Sequence, residues 1–192
     1  MKQKAVFLDR DGVINVDKGY VHKIEDFQFY PGVFEALKLL QDAGYKLLIV
    51  TNQSGIALDY YTEEDFFRLT DYMLSEFKKR GINIDKVYYC PHHENGTNPK
   101  YTKKCDCRKP ASGMIRQGIK EFNIDPSKSF LVGDKENDIK AAHKEGIKAI
   151  LVKTGQGLKY IDKTQADYVA EDLLDAVKNI ILKENNEVSL KN

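Results

Sequence analysis

The sequence predicts a Rossmann-like, doubly wound α/β domain with a mainly parallel sheet and helices on both faces. Three observations carry this. Continuous apolar runs, without polar alternation, recur around residues 6–8, 45–50, 129–132 and 147–152, as expected of strands buried on both sides. Between them lie segments whose apolar residues repeat at helical spacing. Strand and helix alternate through the chain, which calls for βαβ units joined by right-handed crossovers.

Residues 5–15 open with Val6, Phe7 and Leu8 and end abruptly in Asp9 and Asp11, which flank Arg10; Gly12 follows to release the turn. Residues 16–30 carry no clear period and are predicted as a loop. Pro31 stands where a helix can begin, and Val33, Phe34, Leu37 and Leu40 continue it until Gly44. The strand at 45–50 runs into Thr51-Asn52-Gln53-Ser54-Gly55. Thr62 with Asp65 three residues on resembles a capping box, and the helix it opens has Phe66, Leu69, Met73 and Phe77 as its apolar stripe. A short strand at 86–89 leads into a window of cysteines and histidines. Ile115, Ile119 and Phe122 mark a helix over 112–122. The strand at 129–132 ends in Gly133-Asp134-Lys135, with a helix over 136–145 and a strand at 147–152 after it. A short strand near Tyr168 precedes a helix over 171–182. The expected organisation is one domain over 1–183, with a polar tail at 184–192 that frays.

With 192 residues the chain is long enough for a sizeable core. Lys+Arg 30 against Asp+Glu 29 leaves it near neutral, which gives no electrostatic case for nucleic acid as a partner. No apolar run approaches the roughly 18–20 residues of a membrane span, and the N-terminus enters the first strand directly. A soluble cytoplasmic protein is expected. No heptad seam calls for an oligomer, so a monomer is the expected state.

Three strands end in polar groups: Asp9/Asp11, Thr51/Asn52 and Asp134/Lys135. In a parallel sheet these ends share one rim and can converge. Arg108-Lys109-Pro110 stands just before a helix and adds two cations. Carboxylates that suit Mg²⁺, a hydroxyl and cations together suit phosphoryl transfer, and a carboxylate can serve as its nucleophile. A second feature is Cys90-Pro91-His92 followed by Cys105-Asp106-Cys107. Three thiolates and an imidazole form a set suited to tetrahedral, structural Zn²⁺ with no open position; His93 is an alternative ligand to His92. An odd number of cysteines so close together argues for a metal rather than a disulfide framework. His22 and His143 have no motif around them.

DRDGVIN, LIVTN, RKP and VGDKEND resemble the four motifs of the haloacid dehalogenase superfamily of phosphatases. The resemblance implies that Asp9 is the nucleophile and Asp11 the general acid/base. Thr51 and Lys109 would steady the phosphoryl group, and Mg²⁺ would sit on the Asp9 carboxylate, the Asp11 backbone carbonyl and Asp134. Asp138 is a candidate outer partner of the metal. The zinc loop and the lack of a large cap narrow the similarity to the group acting on heptose 1,7-bisphosphate or histidinol phosphate. INVDKGYVHKIEDF, TNQSGIA, YYCPHH and CDCRKP favour the heptose members, which implies a sugar-phosphate substrate and a step toward nucleotide-activated heptose for surface polysaccharide. Substrate contacts are then implied at Asp9, Arg10 and Asp11, at Asp17, Lys18, Gly19 and Tyr20, and at Thr51, Asn52, Gln53 and Ser54. Arg108, Lys109 and Lys135 complete them. The chain departs from the usual pattern at Leu58-Asp59, where Arg-Gly is common, and at Ser112, where proline is. Asp59 is expected to add an acid near the substrate rim, which leaves the preferred anomer open.

Overall fold

In the computed structural model, residues 1–184 are described, and the apolar runs lie side by side. They form β1 (Ala5–Leu8), β2 (Lys46–Asn52), β3 (Lys86–Cys90), β4 (Phe130–Gly133), β5 (Lys148–Val152) and β6 (Tyr168–Ala170). Among the described residues these make one sheet in the order β3-β2-β1-β4-β5-β6, every pair parallel. The chain runs outward from β1 to β3, then returns to place β4 on the other side of β1. That reversal makes the carboxyl ends of β1 and β4 a topological switch point, where open α/β sheets bind their ligands.

Alternate residues of each strand point to opposite faces, and both faces are covered. Val6, Leu8, Leu47, Ile49 and Val132 pack with α1 (Val33–Asp42), α2 (Glu63–Lys78) and the C-terminal helix. Ala5, Phe7, Leu48, Val50 and Leu131 pack with α3 (Gly113–Glu121) and α4 (Glu136–Lys144). The C-terminal helix begins as α5 (Leu173–Asp175) and widens to a π-helical stretch over Ala176–Ile181. Glu184, which the sequence placed in the tail, is still helical and held by Lys148 at 2.5 Å; the rest of that tail, 185–192, lies outside the described residues.

Three element ends differ from the sequence expectation. Helix α1 starts at Val33, because Gly32 takes a left-handed φ of 79° and makes the turn that Pro31 leads into. Thr51 and Asn52 are the last residues of β2 rather than a turn, since β3 pairs with them through Tyr89 and Cys90. Ser112 precedes α3 without capping it, its hydroxyl donating to Glu145 instead, at 2.6 Å. The capping box of α2 forms as expected: Thr62 accepts from the Asp65 amide, and its own amide donates to the Asp65 carboxylate. Two long connections, 9–32 and 91–112, rise over the rim as loops, and no separate cap stands over it among the described residues. No helix of the described residues is long and apolar enough to cross a membrane.

Candidate active site

Because β1 and β4 are neighbours, the acids that follow them meet. The Asp9 amide donates to Val132 O at 3.0 Å, which holds Asp9 against the last residues of β4. Asp9, Asp134 and Asp138 are buried and offer carboxylate oxygens within 4.8 Å of one another. Lys109 reaches them from the connection before α3. Its ammonium lies 3.1 Å from Asp9 Oδ1 and 2.6 Å from Asp138 Oδ1 and donates to Val50 O at 2.7 Å, so its three donors are used. Burial would drive its pKa down, yet Asp138 and Asp9 outweigh that and raise it.

One buried ammonium does not balance three buried acids. Burial, and then repulsion from Asp138, push Asp9 up to about 6 against the pull of Lys109 and Lys135. Burial, then Asp9 and Asp138, push Asp134 up to about 8. Asp134 Oδ2 accepts from the Gln156 amide at 2.8 Å, whereas its Oδ1 is buried with no hydrogen-bond partner among the described residues. A buried carboxylate oxygen without a partner is costly. An all-oxygen set of this kind fits a hard divalent cation such as Mg²⁺.

Asp11 lives in a different environment. Arg10 donates to both its oxygens, at 3.1 and 3.2 Å, Asn15 to one at 3.0 Å and Gln53 to the other at 3.1 Å. Burial alone would raise its pKa, but the Arg10 charge and these hydrogen bonds hold the carboxyl below its usual range. Arg10 itself is 1% exposed. Its guanidinium lies 5.9 Å from the ring centres of both Phe27 and Phe66 and donates to Val21 O at 2.8 Å. Gln53 continues the chain of contacts, donating to Thr51 Oγ1 at 2.8 Å and accepting from the Tyr61 hydroxyl at 2.5 Å.

Above these groups opens a cavity of about 320 Å³, with Asp9, Asp11 and Asp138 at its base. Asp17, Gly19 and Tyr20 line it from the loop after β1; Asn52, Gln53 and Ser54 from the end of β2; and Arg108, Lys109 and Lys135 supply cations. Asn52 also clamps the Lys109 backbone, donating to its carbonyl and accepting from its amide, both at 3.0 Å. Four residues implied at the site do not line the cavity: Arg10, Thr51 and Asp134 are buried, the last with an oxygen within 4.8 Å of one of Asp9, and Lys18 is exposed. Tyr61, Asn137 and Gln156 line the cavity without having been singled out from sequence. Gln156 carries a usable signal, because it follows the carboxyl end of β5 on the same rim.

Cys90, His92, Cys105 and Cys107 form a second cluster. Sulfur–sulfur separations are 2.9 to 3.5 Å, and His92 Nδ1 lies 3.3 Å from Cys107 and 3.7 Å from Cys90. A zinc tetrahedron with bonds of about 2.3 Å needs edges of roughly 3.8 Å, so the set fits with slight expansion. The Cys107 thiol is drawn down to about 5, chiefly by its hydrogen bond with Cys90. His93 is turned away, its Nδ1 accepting from the Asn95 amide. Arg108 follows the last thiol and donates to His92 O at 3.3 Å.

The loop has further anchors. Asp59 accepts from Thr97 Oγ1 and Asn98 Nδ2, both at 2.9 Å, and Glu63 accepts from Tyr101 at 2.6 Å. Asp59 does not line the cavity. Its acid, expected at the substrate rim, instead holds the loop after β3. His22 stacks on Tyr61 at 4.9 Å, and exposed His143 contacts Asp167 at 2.9 Å.

A family model described as HAD-hydrolase-like matches residues 106–176. A protein of Haemophilus ducreyi named D-glycero-beta-D-manno-heptose-1,7-bisphosphate 7-phosphatase is 51% identical over 179 residues, 92% of this chain and 98% of that protein. A Campylobacter jejuni protein named for the alpha anomer is 52% identical over 141 residues, 73% of this chain and 77% of its own. The crystal structure of a D,D-heptose 1,7-bisphosphate phosphatase from B. bronchiseptica, complexed with magnesium and phosphate, superposes with a TM-score of 0.84. It is 29% identical and covers 94% of this chain and 99% of that one.

Proposed function

The chain belongs to the heptose-1,7-bisphosphate 7-phosphatase family of HAD-like hydrolases, and from that premise we propose that it removes the 7-phosphate of D-glycero-D-manno-heptose 1,7-bisphosphate. One observation supports this most: Asp9, at the switch point of the sheet, opens into a cavity whose other polar walls include Arg108, Lys109 and Lys135. An anion with two phosphates meets cations there on more than one side.

In this reading Asp9 attacks the terminal phosphorus and forms an aspartyl phosphate as the sugar oxygen leaves. Asp11 is the general acid/base: its protonated form, reached against the pull of Arg10, Asn15 and Gln53, gives that oxygen a proton, and the carboxylate so formed takes one from the water that hydrolyses the intermediate. Lys109 balances the charge of the phosphoryl oxygens. Asp9, the Asp11 carbonyl and Asp134 would hold Mg²⁺, a fit supported by the partnerless Asp134 oxygen and the raised acids. When bound, Mg²⁺ supplies positive charge that lets a carboxylate and a phosphate anion approach. Thr51 acts through Gln53, which it accepts from and which also donates to Asp11. Arg108 recognises the sugar or its distal phosphate. Cys90, His92, Cys105 and Cys107 hold a structural Zn²⁺ that fixes Arg108 and Lys109. The protein is a cytoplasmic monomer with a small-molecule partner, and neither nucleic acid nor membrane takes part.

Phosphate release from the alpha and beta bisphosphates, set beside histidinol phosphate at saturating Mg²⁺, tests the substrate. The expected result is turnover of at least one heptose anomer with little release from histidinol phosphate. Faster turnover of histidinol phosphate by tenfold or so (about 1.4 kcal/mol) overturns it.

A further inference from the structure

Backbone presses on one oxygen of Asp134. A Cβ built on Gly12, whose φ is 91°, would lie 2.2 Å from Asp134 Oδ2. Beside it, a Cβ on Gly155 would lie 2.3 Å from the same oxygen and 2.6 Å from the Gly12 Cα. Gly155 also has φ +58°, in the left-handed region that disfavours side chains. The turn that carries it is tied down at both ends. Thr154 Oγ1 donates to Gly12 O at 2.7 Å, the Gly155 amide donates to the Tyr30 hydroxyl at 3.1 Å, and the Gln156 amide donates to Asp134 Oδ2 at 2.8 Å. One carboxylate oxygen is thereby fixed, and Oδ1 is left without a hydrogen bond among the described residues.

We propose that residues 154–156 are a positioning segment for the cation site: Gly155 admits the Asp134 carboxylate and the Gln156 amide fixes one oxygen, so that the other is free to ligate. The inference rests on Asp134 holding the divalent cation as proposed above. It adds a fourth strand end, that of β5, to the three that carry the acids and hydroxyl. Residues that orient a metal ligand without touching the metal typically contribute about 10–100-fold to its affinity. A methyl group at position 155 has nowhere to go except against Asp134 or Gly12, so it must turn the acid.

Direct Mn²⁺ binding, followed by electron paramagnetic resonance, tests this with Gly155→Ala, Gly146→Ala and Asp134→Asn beside the unaltered protein. Gly146 has a comparable φ of +70° but nothing within 4 Å of an added Cβ, so its variant carries the backbone strain without the collision. Gly155→Ala should weaken Mn²⁺ by about tenfold or more, and Gly146→Ala should stay within about twofold of the parent. Equal affinities for Gly155→Ala and the parent, or equal losses in the two glycine variants, overturn the proposal. Normal Mn²⁺ affinity in Asp134→Asn overturns the cation reading itself, a separate result. If Gly155→Ala does not fold, Thr154→Val removes one tether and should weaken Mn²⁺ by about fivefold, the worth of one hydrogen bond; unchanged affinity there also overturns it.

Discussion

Asp9, Asp134 and Asp138 are carried by the ends of two central strands and the first turn of α4. Cys90, His92, Cys105 and Cys107 come from an edge strand and a long loop. The acids are held by the sheet itself and by backbone pressed against them, and they repel one another in place. Burial first, and then that repulsion, pushes Asp9 and Asp134 up. Cys90 is buried in the core with Cys105 and Cys107 packed against the same cluster, and the loop between them is anchored by polar contacts to Asp59 and Glu63. The contrast teaches that the two sites answer differently to losing their proposed metals. The carboxylate site is built by the fold at a cost to it, whereas the thiol site helps build the fold around it.

The largest expected effect breaks the first site chemically. Asp9→Asn should lower phosphate release by roughly 10³-fold or more and leave no acid-labile phosphoenzyme; near-normal release would remove Asp9 as the nucleophile. The second site should fail more gently. Removing zinc, or Cys105→Ser, should lower kcat/KM by about tenfold as Arg108 and Lys109 lose their support. Hydrogen exchange should show the amides of Thr97 and Asn98 still protected, since both donate to Ala57 O on the docked tip of the loop. Melting of the whole loop on zinc loss would show that the metal alone holds it.

The acids should also reveal themselves through stability. Unfolded aspartates release their protons near pH 3.9 or so, whereas Asp134 in the folded, metal-free protein keeps its proton to about 8. Folding therefore takes up protons across this window, and this contribution to stability, complete below the unfolded pKa, is lost as pH rises through the folded one. Asp134→Asn should raise the melting temperature of metal-free protein at pH 8 by a few degrees, about 2–4 °C per kcal/mol relieved, with less gain at pH 5. No gain at pH 8 would mean the repulsion is relieved in some other way. The smallest effect is expected at Asp59→Ala, which should cost about 1 kcal/mol per lost hydrogen bond and leave kcat within about twofold. A large loss of turnover there would return Asp59 to the substrate rim.

Much of the acid site was legible because its residues sit at fixed offsets from strand ends. Asp9, Thr51 and Asp134 follow apolar runs whose buried, parallel character is itself encoded locally. The roles of Arg10 and Asp59 were not legible. Arg10 is a substrate contact only by the resemblance, and no local pattern shows that its side chain lies buried near Phe27 and Phe66. Asp59 is near the rim in sequence, but its carboxylate turns to Thr97 and Asn98, far along the chain. The same holds for Gly155, whose neighbour Asp134 is reached only through the pairing of β4 with β5.

By itself the sequence determined the α/β class, the order of strands and helices, the acids at the strand ends and the Cys/His set, because periodicity, capping and ligand spacing are local properties. The tertiary structure decided in which direction each acid is shifted. Asp9 and Asp11 are two residues apart and chemically identical, yet one is pushed up to about 6 and the other held below its usual range. The difference comes from what surrounds them: desolvation and then Asp138 for Asp9, and for Asp11, also buried, the opposing Arg10 with Asn15 and Gln53. The β2 and α4 contacts among these follow from how the strands are placed, a non-local outcome that no spacing along the chain contains.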